Sequence, residues 1–305
     1  MSFPYVSICI ATYKRQEMLQ NLLRSLAVQE FSESFEIIVV DNDEHATAGD
    51  IIERFKKENP EFEIVYDVEP RQGISYARNR SVAVARGKYC AFIDDDETAS
   101  KRWLDGLYIM LTRTGADAVF GPVLPRYPER TPSWIIRSGY FERARQASGT
   151  AVPVNRTRTS NVLVASAWAR KRTPEPFLAA YAVSGGEDHD FFKWMHSNKA
   201  LFIWCDEAYV TEHITPDRCR FMWMMRRQFN TAVTYWRRER TSSVVQGILR
   251  TAIGVCGGMM YLLFGFLMLP AGIHRAVRIW CKAIRGFARL GSVMNIKIIN
   301  YKAIP

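Results

Sequence analysis

From residue 5 to about 122, short and mostly apolar runs alternate with segments of helical period. The runs are YVSICIAT (5–12), FEIIVVDN (35–42), FEIVYDV (62–68) and KYCAFIDDDE (88–97), with ADAVFG (116–121) completing the set. Between them Leu19, Leu22, Leu23 and Leu26 recur at i, i+3, i+4, i+7, and Ile51, Ile52 and Phe55 mark a second helix. After Gly73, ISYARNRSVAVAR (74–86) reads as a helix ended by Gly87, and a further helix is predicted around 101–114. Strands with no polar alternate face must be covered on both sides. The pattern therefore predicts an α/β fold, a mostly parallel sheet with helices on both faces.

Downstream the chain is less regular and rich in proline. SNVLVASAW (160–168) and ALFIWC (200–205) read as strands, GGEDHDFFKWMHSN (185–198) as glycines and acids opening a helix, and 217–240 as a basic helix. The net charge of +10 is unevenly placed: residues 217–305 hold 15 Lys+Arg against two Asp+Glu. A basic tail calls for a polyanion, either nucleic acid or an anionic membrane face. The same tail contains Thr251 to Ile273, 23 residues without a charge, a length that suits a bilayer and not a nucleic-acid arm. A membrane face is therefore the expected partner, and no nucleic acid. Arginines flank the stretch on both sides, which disfavours one crossing. Gly254, Gly257, Gly258, Gly265 and Pro270 are expected to permit a bend, giving a re-entrant hairpin followed by an interfacial helix over 273–290. The N-terminus lacks the pattern of a secretory leader, so the main domain is expected on the cytoplasmic side. The six cysteines show no metal spacing, and Cys9 and Cys90 read as buried, reduced thiols.

In open α/β sheets ligands bind beyond the carboxyl ends of the strands, and two strands here end in acids at that place. Asp94, Asp95, Asp96 and Glu97 follow CAFI directly. Four adjacent carboxylates repel one another unless a cation neutralises them, and hard oxygen ligands favour Mg²⁺ or Mn²⁺, which also bridge a diphosphate. Asp41 and Asp43 end the second strand. An Asx turn and hydrogen bonding to a uracil N–H or a ribose hydroxyl are both open readings. Asp188 either caps the helix that follows Gly185-Gly186 or takes a proton from an acceptor hydroxyl. His196 and His213 have no partner at ligand spacing. Arg226 and Arg227, within a Met- and Trp-rich helix, either solvate its outer face or neutralise a leaving diphosphate.

Taken in order, SICIATYKR (7–15), VVDND (39–43), QGISYARN (72–79), FIDDDE (92–97), GPVLP (121–125), SNVLV (160–164), GGEDHDFF (185–192) and RRQF (226–229) resemble family 2 glycosyltransferases of the GT-A fold. The nearest branch is that of succinoglycan-biosynthesis (ExoM-type) enzymes, which act on a lipid-linked saccharide. The resemblance implies a hexosyltransferase domain over 1–240, with a nucleotide-sugar half (1–122) and an acceptor half (123–240), and a membrane-associating tail over 241–305. It implies that Thr12, Tyr13, Asp41, Asp43, Arg78, Asp94, Asp95, Arg226 and Arg227 serve the nucleotide-sugar. Asp96 would hold Mn²⁺ or Mg²⁺, and Asp188 would be the general base, with Asp190 its rival two residues on. The implied partners are a UDP-sugar donor, a lipid-linked saccharide acceptor and the cytoplasmic face of the inner membrane. RRQFN departs from the Q-x-x-R-W motif of processive relatives, which favours transfer of a single sugar. A sugar-phosphate nucleotidyltransferase would need a glycine-rich loop where this chain has ATYKR. A non-catalytic nucleotide-sugar-binding module would have no use for four acids together with an ED pair.

Overall fold

The computed structural model describes residues 4–238, 244–294 and 296. Residues 239 and 240 of the expected basic helix, and the end of the expected tail, lie outside the described residues. The four apolar runs form β1 (Val6–Thr12), β2 (Phe35–Asp41), β3 (Glu63–Val68) and β4 (Tyr89–Phe92), joined by α1 (Gln16–Ala27), α2 (Gly49–Glu58) and α3 (Ile74–Val84). Then come β5 (Glu97–Ala99), α4 (Trp103–Thr114), β6 (Ala118–Phe120), β7 (Val123–Arg126), α5 (Ser133–Ser138), β8 (Val162–Ala165), α6 (Ser166–Lys171), α7 (Glu187–Ser197), β9 (Phe202–Trp204) and β10 (Val210–His213). The C-terminal helices are α8 (Phe221–Arg238), α9 (Val244–Leu267) and α10 (Ile273–Val293). Two compact units result, Met1–Arg126 with Arg143–His213, and Tyr127–Glu142 with Ile214–Pro305.

The first unit is built on a seven-stranded sheet of order β3-β2-β1-β4-β8-β6-β9. β3, β2, β1 and β4 are parallel, in a register that sets Thr12 beside Asp41. β8 runs antiparallel between β4 and β6, so the sheet is mixed at that position. The period-2 geometry of each strand divides its side chains between two cores. Ile8, Ile10, Ile37, Val39 and Ala91 pack with α1, α2 and α4, whereas Cys9, Ile38, Val40, Cys90 and Phe92 pack with α3 and α7. Cys9 and Cys90 are buried free thiols. A small sheet of order β5-β10-β7 adjoins the site described below.

Gly87 does not end α3. That helix stops at Val84, with Ala85 already extended. Gly87 instead lets two segments of chain meet, because a Cβ there would lie 2.6 Å from the backbone nitrogen of Ser7. SNVLV carries a second device of this kind. Asn161 is fully buried with φ 59°, its amide donates to the carbonyls of Pro122 and Ala208 at 2.8 Å each, and its oxygen accepts the Trp103 indole N–H at 2.7 Å. One side chain thus ties β8 to β7, α4 and the approach to β10.

The second unit packs α5, α8 and α10 around Ile135, Phe141, Met224, Met225, Val277 and Cys281. Of the residues expected to permit a bend, Pro270 lies where the chain turns back and the α9 glycines do not break their helix. α9 is continuous to Leu267, and the chain reverses only at Leu269–Ala271, with Gly272 at φ 115°. The glycines serve close packing instead. Gly254 lies against Gly286, Gly258 against Ala283 and Phe287, and Gly265 against Trp280.

Asn161→Ala strands the Trp103 donor and two buried carbonyls and puts a Cβ-bearing residue without local hydrogen bonds at positive φ. It should lower stability by roughly 3–5 kcal/mol. Urea denaturation of the purified protein checks this, and a loss below about 1 kcal/mol would mean that Asn161 is not the tie described.

Candidate active site

The residues expected to serve the nucleotide-sugar or the metal that fall in the first unit lie at or near the carboxyl ends of the parallel strands, and Asp188 lies at the start of α7. Thr12 closes β1, and its hydroxyl donates to Asp95 at 2.9 Å. Three residues on, Arg15 reaches Asp95 at 2.8 Å and Asp96 at 3.3 Å. The expectation from sequence assigned Arg15 no role. The signal available was a cation at the end of one strand, facing four acids at the end of its neighbour. Tyr13 is half-exposed beside them, with the Lys14 ammonium over its ring at 5.3 Å.

The four acids have four different environments. Asp94 is the open one, with its side chain 40% exposed. Asp95 is buried, and burial raises its pKa against the pull of Arg15 and Thr12. Asp96 is pushed up to about 7, chiefly by burial, with Asp95 and Asp94 adding repulsion that Arg15 offsets in part. Glu97 is held well above the usual carboxylate range by burial and by Asp94. One of its oxygens accepts the Asp94 N–H at 3.0 Å, and the other has no hydrogen-bond partner among the described residues.

Arg78 projects from α3 into the same region. Its guanidinium is paired with Glu187 and lies 3.2 Å from Asp94, so it joins the acid cluster to the first turn of α7. Sequence reasoning placed Arg78 but missed Glu187 as its partner. Gly186, at φ 99°, is the N-cap of α7 and has no side chain to offer; Asp188, in the first turn, satisfies one of the helix's unpaired N–H groups. One Asp188 oxygen accepts the His189 N–H at 2.7 Å, and its carboxylate has no other partner among the described residues. Asp190 differs, being paired with Arg172 at 2.7 Å.

Asp41 is fully buried. Its carboxylate accepts the N–H of Asp43 at 3.1 Å, the N–H of Ala48 at 2.8 Å and the Tyr66 hydroxyl at 3.0 Å. The Asx turn is therefore present and extended into a brace for the 41–48 loop. Burial raises the pKa of Asp41 despite these donors. Asp43 accepts from His45 and Thr47 within that loop. Asn42, between them, holds the carbonyls of Glu69 and Arg71 and the N–H of Gly73, which fixes the start of α3. His213 at the end of β10 donates its backbone N–H to the Asp96 carbonyl at 2.8 Å, and burial lowers its ring pKa. His196, in the last turn of α7, lies tilted against Phe202 with ring centroids 6.2 Å apart. Arg226 and Arg227 stand exposed on α8 of the second unit.

Among the described residues no three His, Cys, Asp or Glu side chains converge as a protein-only metal cage. A Mg²⁺ or Mn²⁺ ion shared with a diphosphate needs only one or two carboxylates, the remaining ligands being phosphate oxygens and water. Asp96 and Asp94 fit that smaller demand, since a cation beside them would offset the cost of burying the Asp96 carboxylate and its repulsion by Asp95 and Asp94.

The family model for glycosyl transferase family 2 matches residues 7–173. The succinoglycan biosynthesis protein ExoM of Rhizobium meliloti is 35% identical over 239 residues, 76% of this chain and 74% of that protein. Among solved structures, the mannosyltransferase PcManGT of Pyrobaculum calidifontis, in complex with GDP-Man and Mn²⁺, superposes with TM-score 0.64 at 14% identity, covering 97% of this chain and 89% of that one. S. aureus TarS 1–349 in complex with UDP superposes with TM-score 0.55 at 16% identity, covering 98% and 95%. The last two speak for the GT-A fold alone. With a family model matched over more than half the chain and a relative aligned over most of both sequences, the chain belongs to glycosyl transferase family 2 and is a hexosyltransferase of GT-A fold.

Proposed function

We propose that this enzyme moves one sugar from a UDP-sugar to a lipid-linked saccharide at the cytoplasmic membrane face, inverting the anomeric centre, in the assembly of a surface polysaccharide. The observation that carries the reading is the Arg78 bridge. It ties Asp94, at the donor end of the sheet, to Glu187, whose neighbour Asp188 keeps a carboxylate oxygen open. The polysaccharide context is supported by the name of the Rhizobium relative, and the choice of UDP rests on the motif resemblance.

Asp188 accepts the proton of the acceptor hydroxyl as that oxygen attacks the anomeric carbon, and the bond from that carbon to the diphosphate oxygen breaks as UDP leaves. The carboxylates flanking Asp188 are engaged by arginines, Glu187 by Arg78 and Asp190 by Arg172, so none is offered as a covalent nucleophile. A single displacement inverts. Thr12, Tyr13, Asp43, Arg78, Asp94 and Asp95 form the nucleotide-sugar side of the site, and Asp41 serves it by bracing the 41–48 loop. Asp96 would hold Mn²⁺ or Mg²⁺, which would supply positive charge for the departing diphosphate. Arg226 and Arg227 are assigned to phosphate charge on their chemistry alone. The second unit keeps the enzyme at the membrane, where a lipid-linked acceptor resides.

Asp188→Asn should lower kcat by about 10²–10⁴-fold while leaving UDP affinity, measured by calorimetry, unchanged. Should Asp188→Asn stay active while Asp190→Asn does not, the base is Asp190. Chelation with EDTA should abolish transfer and added Mn²⁺ or Mg²⁺ restore it; full turnover after thorough metal stripping would remove the metal from the scheme. An α-linked donor should give a β-linked product by NMR, and retention of the donor's anomeric configuration would rule out a single displacement.

A further inference from the structure

The helices α9 and α10 form an antiparallel pair whose two outer faces differ sharply. α9 is 24 residues, about 36 Å at 1.5 Å per residue. Its small residues Gly254, Gly258 and Gly265 face α10, and the Trp280 indole donates to the Leu262 carbonyl at 3.2 Å across the pair. Its large side chains point away. Val245, Leu249, Met260, Leu263 and Leu267 are each more than half exposed and share one face, at steps of 4, 11, 3 and 4 residues. Val245–Leu267 is long and apolar enough to cross a membrane.

α10 bears the opposite chemistry. Arg275, Arg278, Lys282, Arg285 and Arg289 follow at spacings of three and four, a single basic stripe, and neither helix contains an acidic residue. Val277 and Cys281, on another face of α10, are buried in the core of the second unit. Two of the stripe's residues are level with the middle and start of α9: the Lys282 ammonium stands over the Tyr261 ring at 5.7 Å, and Arg289 donates to the Arg250 carbonyl.

We propose that the α9–α10 pair is a monotopic anchor for an anionic bilayer: α9 lies along the leaflet with its large apolar face in the acyl boundary, and the exposed Arg275, Lys282 and Arg285 of the α10 stripe meet the lipid phosphates. Arg278, by contrast, is bonded to the carbonyls of Arg137 and Ser138, and Arg289 packs on Trp236. The geometry excludes a perpendicular α9. Because α10 packs along it from Gly265 back to Gly254, a crossing α9 would carry Lys282, Arg285 and Arg289 into hydrocarbon, where Lys and Arg are among the costliest residues. α9 alone is apolar on both faces, and the apolar side of α10 is taken up by α9 and by the core of the second unit, which leaves its cations outward. The amphipathic unit that binds in-plane is the pair. The occupant of the apolar face is a lipid surface and not a second copy of the chain, because two such pairs face to face would oppose like charges with no acid to offset them. This inference deepens the membrane-face part of the proposed function and is independent of its chemistry.

The full chain is tested on two readouts. Co-sedimentation should show binding to vesicles of phosphatidylethanolamine with phosphatidylglycerol and much weaker binding to phosphatidylcholine. Arg275→Gln, Lys282→Gln and Arg285→Gln together should weaken the anionic case by about fivefold per charge. The second readout is depth, taken from a spin label on native Cys256, exposed on α9, and on Leu249→Cys and Leu263→Cys made with Cys219→Ser and Cys256→Ser. An in-plane α9 places all three labels at a common depth of about 5–10 Å. A label at Cys256 near the midplane, about 15 Å deep, with Leu249→Cys and Leu263→Cys shallower, would show a span and overturn the proposal. Failure to bind vesicles, with self-association instead, would overturn both this anchor and the membrane reading, leaving the sugar-transfer chemistry to its own tests.

Discussion

The buried guanidinium of Arg78 is the contact on which the geometry of the site depends. α3 leaves the sheet after β3, α7 follows from a loop more than a hundred residues later, and Asp94 closes a strand between them; one side chain binds the last two to the first. A buried arginine is tolerated only where its charge is matched, and loss of one partner leaves an uncompensated charge that typically costs several kcal/mol. The start of α3 is in turn fixed by Asn42, which grips the 69–73 segment through three hydrogen bonds. The VVDND and GGED motifs, remote in sequence, are mechanically one assembly.

The acids after β4 illustrate how one local sequence yields groups of different use. Four consecutive carboxylates would repel uniformly in an extended peptide. At the strand end, burial separates them: Asp95 is held by Thr12 and Arg15, Glu97 turns inward, and Asp94 remains open. Asp96 sits between these extremes, raised to about 7 by burial and by its neighbours. Arg15 balances part of this charge within the protein itself.

The second unit uses glycine in a way that hydropathy does not announce. In a long apolar helix five glycines and a proline within some twenty residues suggest weakness. Here α9 is unbroken, and Gly254, Gly258 and Gly265 remove bulk on one side so that α10 can approach, a small-residue packing device familiar from helix pairs in lipid. The cations on α10 and the apolar face on α9 are consequently locked into one body.

What the sequence determined alone was whatever is set by periodicity and by the chemistry of strand ends. The parallel strands β1 to β4 follow from their apolar runs, and α1 from its leucine spacing. The placement of Asp41, Asp94 and Thr12 at one edge of the sheet follows from where those runs stop. Motif order was enough to reveal the family. Tertiary structure decided everything that depends on which distant atoms meet. Periodicity cannot show that β8 inserts antiparallel, that Gly87 allows a close approach and does not end a helix, or that Asn161 pins three elements. It cannot show that Glu187 answers Arg78, that Arg172 occupies Asp190 and leaves Asp188 open, or that Asp41 spends its carboxylate inside its own loop. A residue's spacing constrains its own element, whereas its charge balance and accessibility are fixed by partners that the fold brings from elsewhere.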